Sequence, residues 1–189
     1  MGDTKNVTYG KPKVAGALSV AKAGSKIPTD AKSELDEAYK NLGYISDDGL
    51  ANENTAETDL IKAWGGDSVL TLQTSKTDTF AFTLIEVMNM DVLKTVYGES
   101  NVTGDLTTGI KIVANSKPLE SKVYVFDIIF KGGILKRIVI PNGQVTEVGE
   151  ISYKDDEAVG YETTVQALPD KDGNTHYEYI VKEAQEDTL

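Results

Sequence analysis

The sequence contains no cysteine, which excludes disulfides and thiolate metal sites. It has a single histidine, His176, so one chain cannot supply a pair of histidines to a metal. A Ser-His-Asp arrangement has only that one candidate base, and no nucleophile stands at a recognisable spacing from it. Arginine also occurs once, at Arg137. Phosphate and guanine recognition lean heavily on arginine, so sequence-specific nucleic-acid binding is disfavoured. Tryptophan occurs once, at Trp64. No apolar run approaches the roughly 20 residues of a helical membrane span. The opening Met1-Gly2-Asp3-Thr4-Lys5-Asn6 lacks the apolar core of a signal peptide. With Asn6 where serine or threonine is required, it also fails the myristoylation pattern. The expectation is a soluble product of the cytoplasm.

What is present is ordinary for a folded domain. The 189 residues suit one core, and 40% hydrophobic with 26% charged residues is a globular composition. A single domain over 1–189 is expected, with 1–10 and 182–189 as flexible arms. The chain has 30 acids against 19 bases, a net charge of -11, unevenly spread. Residues 111–143 hold six bases and two acids, whereas residues 144–189 hold twelve acids and three bases. Three readings fit: a solvated surface, repulsion of a passing polyanion, or head-to-tail assembly in which one copy's basic strip meets another's acidic face.

The periodicity is mainly that of β-structure. Val14–Lys22 reads as a first strand. Asp30 then looks like an N-cap, with Leu35, Ala38, Tyr39 and Leu42 on one helical face and Gly43 as terminator. Residues 50–56 are polar and predict an exposed loop. Thr58–Trp64 and Ser68–Thr74 flank Gly65-Gly66-Asp67 as a hairpin, and Thr79–Glu86 alternates as a separate strand. Asn89 caps a second short helix carrying Val92, Leu93, Val96 and Tyr97 and ending at Gly98. Lys122–Phe130 is apolar on both faces and should be a covered central strand. Lys131-Gly132-Gly133 turns it into Ile134–Ile140, and Pro141-Asn142-Gly143 predicts a further hairpin into Gln144–Tyr153. Tyr161–Leu168 and Thr175–Val181 close the series. The predicted architecture is mainly β: a β-sandwich or partly open barrel with one flanking α-helix and a second short helix.

Candidate chemistry is thin, and catalytic, cofactor and metal sites are all expected to be absent. Asp170-Lys171-Asp172-Gly173-Asn174 opens like a calcium loop. Thr175 then replaces the turn glycine, and Val181 stands in place of the bidentate glutamate, so a plain turn fits better. Asp47-Asp48 and Asp155-Asp156-Glu157 read as solvated turn carboxylates, and Gly65-Gly66 as hairpin glycines rather than a phosphate cradle. Trp64, beside a turn, fits either a core position or an interface anchor.

Several stretches, taken in order, resemble the major tail tube protein of long non-contractile-tailed (siphophage-type) phages and prophages. They are Gly10–Ala17, Leu42–Gly49, Ile61-Lys62-Ala63-Trp64-Gly65-Gly66-Asp67, and Asp78–Glu86 leading into Asp91–Gly98. The likeness covers roughly residues 10–150. It implies a non-enzymatic virion protein without cofactors, whose hexameric rings stack into a tail tube that DNA crosses without specific binding. It also implies assembly in the host cytoplasm around a tape measure protein, with tail terminator or tip proteins at the ends and no membrane contact. The candidate assembly or lumen contacts are Asp47, Asp48, Trp64, Gly65, Gly66, Asp67, Lys136 and Arg137, with the loops Asp47–Thr58 and Glu99–Gly109 reaching neighbours. The competing readings are a monomeric carbohydrate- or protein-binding β-module and a subunit of a type VI-like injection tube.

Overall fold

The computed structural model describes residues 2–13 and 16–182. Val14 and Ala15, with which the first strand was expected to open, lie outside the described residues, as does the expected arm beyond Lys182. One antiparallel sheet dominates. Its order is β3 (Lys40–Asn41), β2 (Leu18–Lys22), β8 (Lys122–Phe130), β9 (Ile134–Val148), β10 (Tyr161–Ala167), β5 (Ser68–Leu84) and β4 (Ile45–Lys62). Two strands lie off this path: β1 (Gly10–Pro12) pairs with the far half of β8, and β11 (Tyr177–Lys182) with the first half of β9. A two-stranded ribbon, β6 (Val102–Thr103) with β7 (Lys111–Ile112), stands apart. The sheet does not close, which agrees with the partly open barrel predicted from the alternation.

The helix α1 (Met90–Tyr97) forms where the cap signals put it. The Asn89 side chain accepts from the Asp91 N–H, and Gly98 stops the helix at φ 99°, a conformation that a side chain disfavours. Val92, Leu93 and Val96 face inward onto Phe80, Phe82, Leu84, Tyr124, Phe126, Ile140 and Val165. β8 is covered on both sides: Tyr124 and Phe126 join this main core, whereas Val123 and Val125 face a second cluster roofed by Ile27, Leu35, Tyr39, Tyr177 and Tyr179. Its doubly apolar sequence is thereby explained.

The helix expected over residues 30–42 does not form. Asp30 caps a turn, accepting from the Lys32 and Ser33 N–H groups (2.6 Å each) and from the Ser33 hydroxyl. Asp36 makes a second such turn onto Ala38. Local side-chain bonds of this kind compete with the helical ladder. Leu35 and Tyr39 still bury themselves, but as a loop laid over the sheet, with the Tyr39 hydroxyl donating to the Lys26 carbonyl.

The hairpin expected at Pro141-Asn142-Gly143 is also absent, because β9 runs straight through it. Pro141 falls where β9 changes partner on one edge, from β11 over Ile134–Val139 to β10 over Gly143–Val148, and within the register shift against β8 on the other, a place where a strand tolerates a missing N–H. Gly143 meets a packing demand instead of a turn: a Cβ on it would lie 2.6 Å from Cδ2 of Tyr124.

Candidate assembly surface

The largest departure from expectation is a long arm. The polar stretch 50–56, expected as a loop, is strand, and the two strands expected over 68–86 are one, so β4 and β5 make a continuous hairpin. Register runs from Ile45 opposite Leu84 out to Lys62 opposite Ser68, with bulges after Glu57 and Ile61. At the base, Phe80, Phe82 and Leu84 enter the core. Beyond it, Ala51–Lys62 and Ser68–Thr77 are exposed except for a half-buried Ser75. Twelve extended residues project about 40 Å. The turn at the tip uses Gly65 (φ 109°) and Gly66 (φ 98°), and the Ala63 N–H donates to the Asp67 carbonyl. Trp64 is wholly exposed there, at 106%. Ile61 and Leu70 pair on one face beside Leu72, while Leu60 stands on the other, and all four are exposed, as is Val69. Apolar residues on both faces of a solvent-bathed ribbon leave a surface that lacks its covering. The arm also bears seven carboxylates against two lysines over residues 45–84. β4 is the terminal strand of the sheet, so its outer edge carries unpaired backbone groups.

The arm is rooted by a buried polar knot. The Asp78 side chain is fully buried and accepts from the Thr175 hydroxyl (2.6 Å) and the Asn52 amide (2.9 Å). Nδ1 of His176 lies 2.6 Å from the same carboxylate, and its ring meets Phe80 edge-on. Burial pushes the Asp78 carboxyl up, but the bonds from Thr175, Asn52 and His176 outweigh it and leave the group below its ordinary value. His176, a catalytic long shot by sequence, thus ties the segment before β11 to the root of the arm. Sequence gave no signal for this pairing, because 98 residues separate the partners.

The remaining candidates divide. Asp47 and Asp48 sit in an irregular stretch at the start of β4, lining a cleft of about 660 Å³ with Lys11, Lys13, Tyr44 and Phe126. Lys136 pairs with Glu178 at 2.7 Å. Arg137, expected on a basic surface strip, is 1% exposed. It forks onto Asp127 (2.6 and 3.1 Å) and donates to the carbonyls of Asp30 (3.0 Å) and Ser33 (2.8 Å). A guanidinium with five donors and one planar orientation suits that clasp. It holds the 30–39 loop on the sheet and is not available to a neighbour. The Glu99–Gly109 loop carries one 3-10 turn and β6, then a turn in which the Asp105 carboxylate accepts from Thr107 and Thr108. Those bonds hold the Asp105 carboxyl below its ordinary value. Asp170 is a turn cap, accepting from Asp172, Asn174 and the Tyr177 hydroxyl, and the described residues contain no cluster fit to hold a metal. No helix among them is long and apolar enough to cross a membrane.

The chain is similar in fold to a solved chain from a structure described as an extracellular contractile injection system, PVC sheath-tube complex in the extended state. The two share 10% identity at a TM-score of 0.42, over 90% of this chain and 93% of that one. No curated protein matches the chain. The family described as phage tail tube protein matches residues 13–188, nearly the whole chain. The solvent-bathed arm and the open sheet edge are coherent with that match: the chain belongs to the phage tail tube protein family, a structural component of the virion tail that assembles with itself into a tube.

Proposed function

We propose that six copies close into a ring and that rings stack into the tube of a siphophage-type tail, with the β4–β5 arm of each copy lying against its neighbours. The observation that carries this is the arm itself. A two-stranded ribbon has marginal stability in water, and one with exposed leucine, isoleucine and tryptophan needs a partner. A ring contact is heterologous and needs complementary, not identical, patches. With four strands per copy, a barrel of about 24 strands at ~4.8 Å spacing and ~40° tilt has a backbone diameter near 48 Å. That leaves a duplex-wide bore after side chains. Carboxylates along the arm would repel phosphate, so DNA slides through without sticking. A tape measure protein occupies the bore during assembly in the host cytoplasm, and terminator or tip proteins close the ends.

Negative-stain microscopy of concentrated protein, with and without preformed tube fragments as seeds, tests the reading. Six-fold rings or tubes are expected. A chain that stays monomeric with seeds present and binds a sugar or peptide in a groove would overturn it.

A further inference from the structure

Two members of the basic strip anticipated from sequence, Lys136 and Arg137, are paired within the fold. A third, Lys122, belongs to a separate cluster of lysines. A cleft of about 380 Å³ is lined by Lys22, Lys40, Lys94 and Lys122, with Asp91 and Glu99 as the facing acids. Glu99 is engaged by Lys94 at 3.4 Å. Lys22, Lys40 and Lys122 have no carboxylate within salt-bridge distance among the described residues. Lys40 donates instead to the Glu37 carbonyl and Lys122 to the Thr95 hydroxyl, both at 3.3 Å. Lys22 and Lys122 are also direct cross-strand partners. Like charges so placed destabilise a sheet unless an anion sits between them. Burial compounds the cost by pulling the Lys122 ammonium below its ordinary value.

The sequence places a candidate anion immediately after β11. Glu183, Glu186 and Asp187 follow β11 directly. β11 ends with Lys182 opposite Ile134, which is itself opposite Phe130, at the far end of β8 from Lys122. The eight residue steps along β8 span about 26 Å, whereas Asp187 is five residues past Lys182, a reach of at most about 17 Å. A backbone of that length does not cover the distance along β8, and it leaves β11 heading away from Lys122. The acidic cluster Asp155-Asp156-Glu157 leads from the end of β9 that pairs near Lys122, so it offers no such head-to-tail polarity.

We infer that the Lys22–Lys40–Lys122 cleft receives the acidic segment Glu183–Asp187 of a second copy. The contact is heterologous, joining opposite ends of two subunits, and so has the polarity that propagates along an axis. The inference rests on the tube reading for the identity of the partner, but its test does not.

A synthetic peptide spanning residues 182–189 is titrated into the full-length protein, followed by fluorescence anisotropy and by amide shifts of Lys22, Lys40 and Lys122. Saturable binding with shifts confined to the cleft is expected. It should weaken at least tenfold in Lys22→Glu/Lys40→Glu, two exposed positions whose exchange spares the fold, and should weaken again on raising the salt. A charge-neutral peptide with glutamine and asparagine in place of the acids should not bind. In tube assays, Glu183→Lys/Glu186→Lys/Asp187→Lys should slow elongation, and combining it with the reversed lysines in one chain should restore it. Equal binding of the neutral peptide, or tighter binding of inorganic phosphate or a short oligonucleotide, would overturn the inference. Tubes that form while the peptide fails to bind would overturn it and leave the tube reading standing. Peptide binding without any tubes would do the reverse.

Discussion

The body and the arm of this subunit are made from the same kind of backbone and owe their order to different things. In the body, β8 is sandwiched between two apolar clusters, and each of Tyr124, Phe126, Val123 and Val125 is almost entirely out of water. Burial on this scale contributes roughly 1.5–3 kcal/mol per large apolar side chain. The arm has cross-strand bonds but no core: past Asp78, β5 buries nothing and β4 presents an open edge. The body thus buries its own core, whereas the arm leaves apolar side chains in water. Substitutions in the first should act on folding, and substitutions in the second on assembly.

The sharpest test of that division is Arg137→Ala. It leaves Asp127 without its ion partner and frees the carbonyls of Asp30 and Ser33, so unfolding free energy should fall by about 3–5 kcal/mol in urea melts. An unchanged midpoint would remove the clasp from the body's accounting. Gly143→Ala comes next, at about 1–3 kcal/mol, because its methyl would press on Tyr124 and Val165 in the packed interior. A fully reversible variant as stable as the wild type would show that β9 has slack there.

The junction between the two regions should respond to acid. Folding holds Asp78 below the usual carboxylate value near 3.9, so its contribution is complete at neutral pH. It is lost as pH falls below about 4, through the depressed value. Wild-type stability should therefore drop more steeply below that pH than that of Asp78→Asn. Matching slopes would mean the knot at the root carries no net protonation linkage. The smallest folding effect belongs to the arm. Trp64→Ala should leave monomer stability within about 0.5 kcal/mol while sharply raising the concentration needed for tubes, read by sedimentation. A large loss of monomer stability would erase the distinction between arm and body.

The sequence announced those parts of the molecule whose cause is local. Asn89 and Gly98 frame α1 because a cap bond and a positive φ involve only near neighbours. The apolar alternation of β8 reports burial on two faces. Gly65-Gly66 marked a turn, and a turn is there. Misreadings arose where distant partners decide. Asn142-Gly143 resembles a hairpin until Tyr124 is packed against the glycine. Leu35, Ala38, Tyr39 and Leu42 follow helical spacing, yet Asp30 and Asp36 close turns, the first of which Arg137 then locks from the sheet. The polar stretch 50–56 offered no apolar pattern, because a strand solvated on both faces is specified by its pairing with residues 76–82 alone. Among the proposed contact residues, the tip cluster was legible as a glycine turn beside an aromatic. The apolar faces formed by Leu60, Ile61, Val69, Leu70 and Leu72 could have been suspected from hydrophobics that obey neither periodicity. Arg137 looked like surface charge because nothing in its own neighbourhood names Asp127 or the loop carbonyls as partners.

The chain's only indole stands at the outermost point of the arm, with water on every side. Its intrinsic emission should be that of a hydrated fluorophore in the free subunit and shift toward the blue, without background from any second tryptophan, once a neighbour covers it. On the proposed assembly, that residue would serve as a built-in optical reporter of polymerisation.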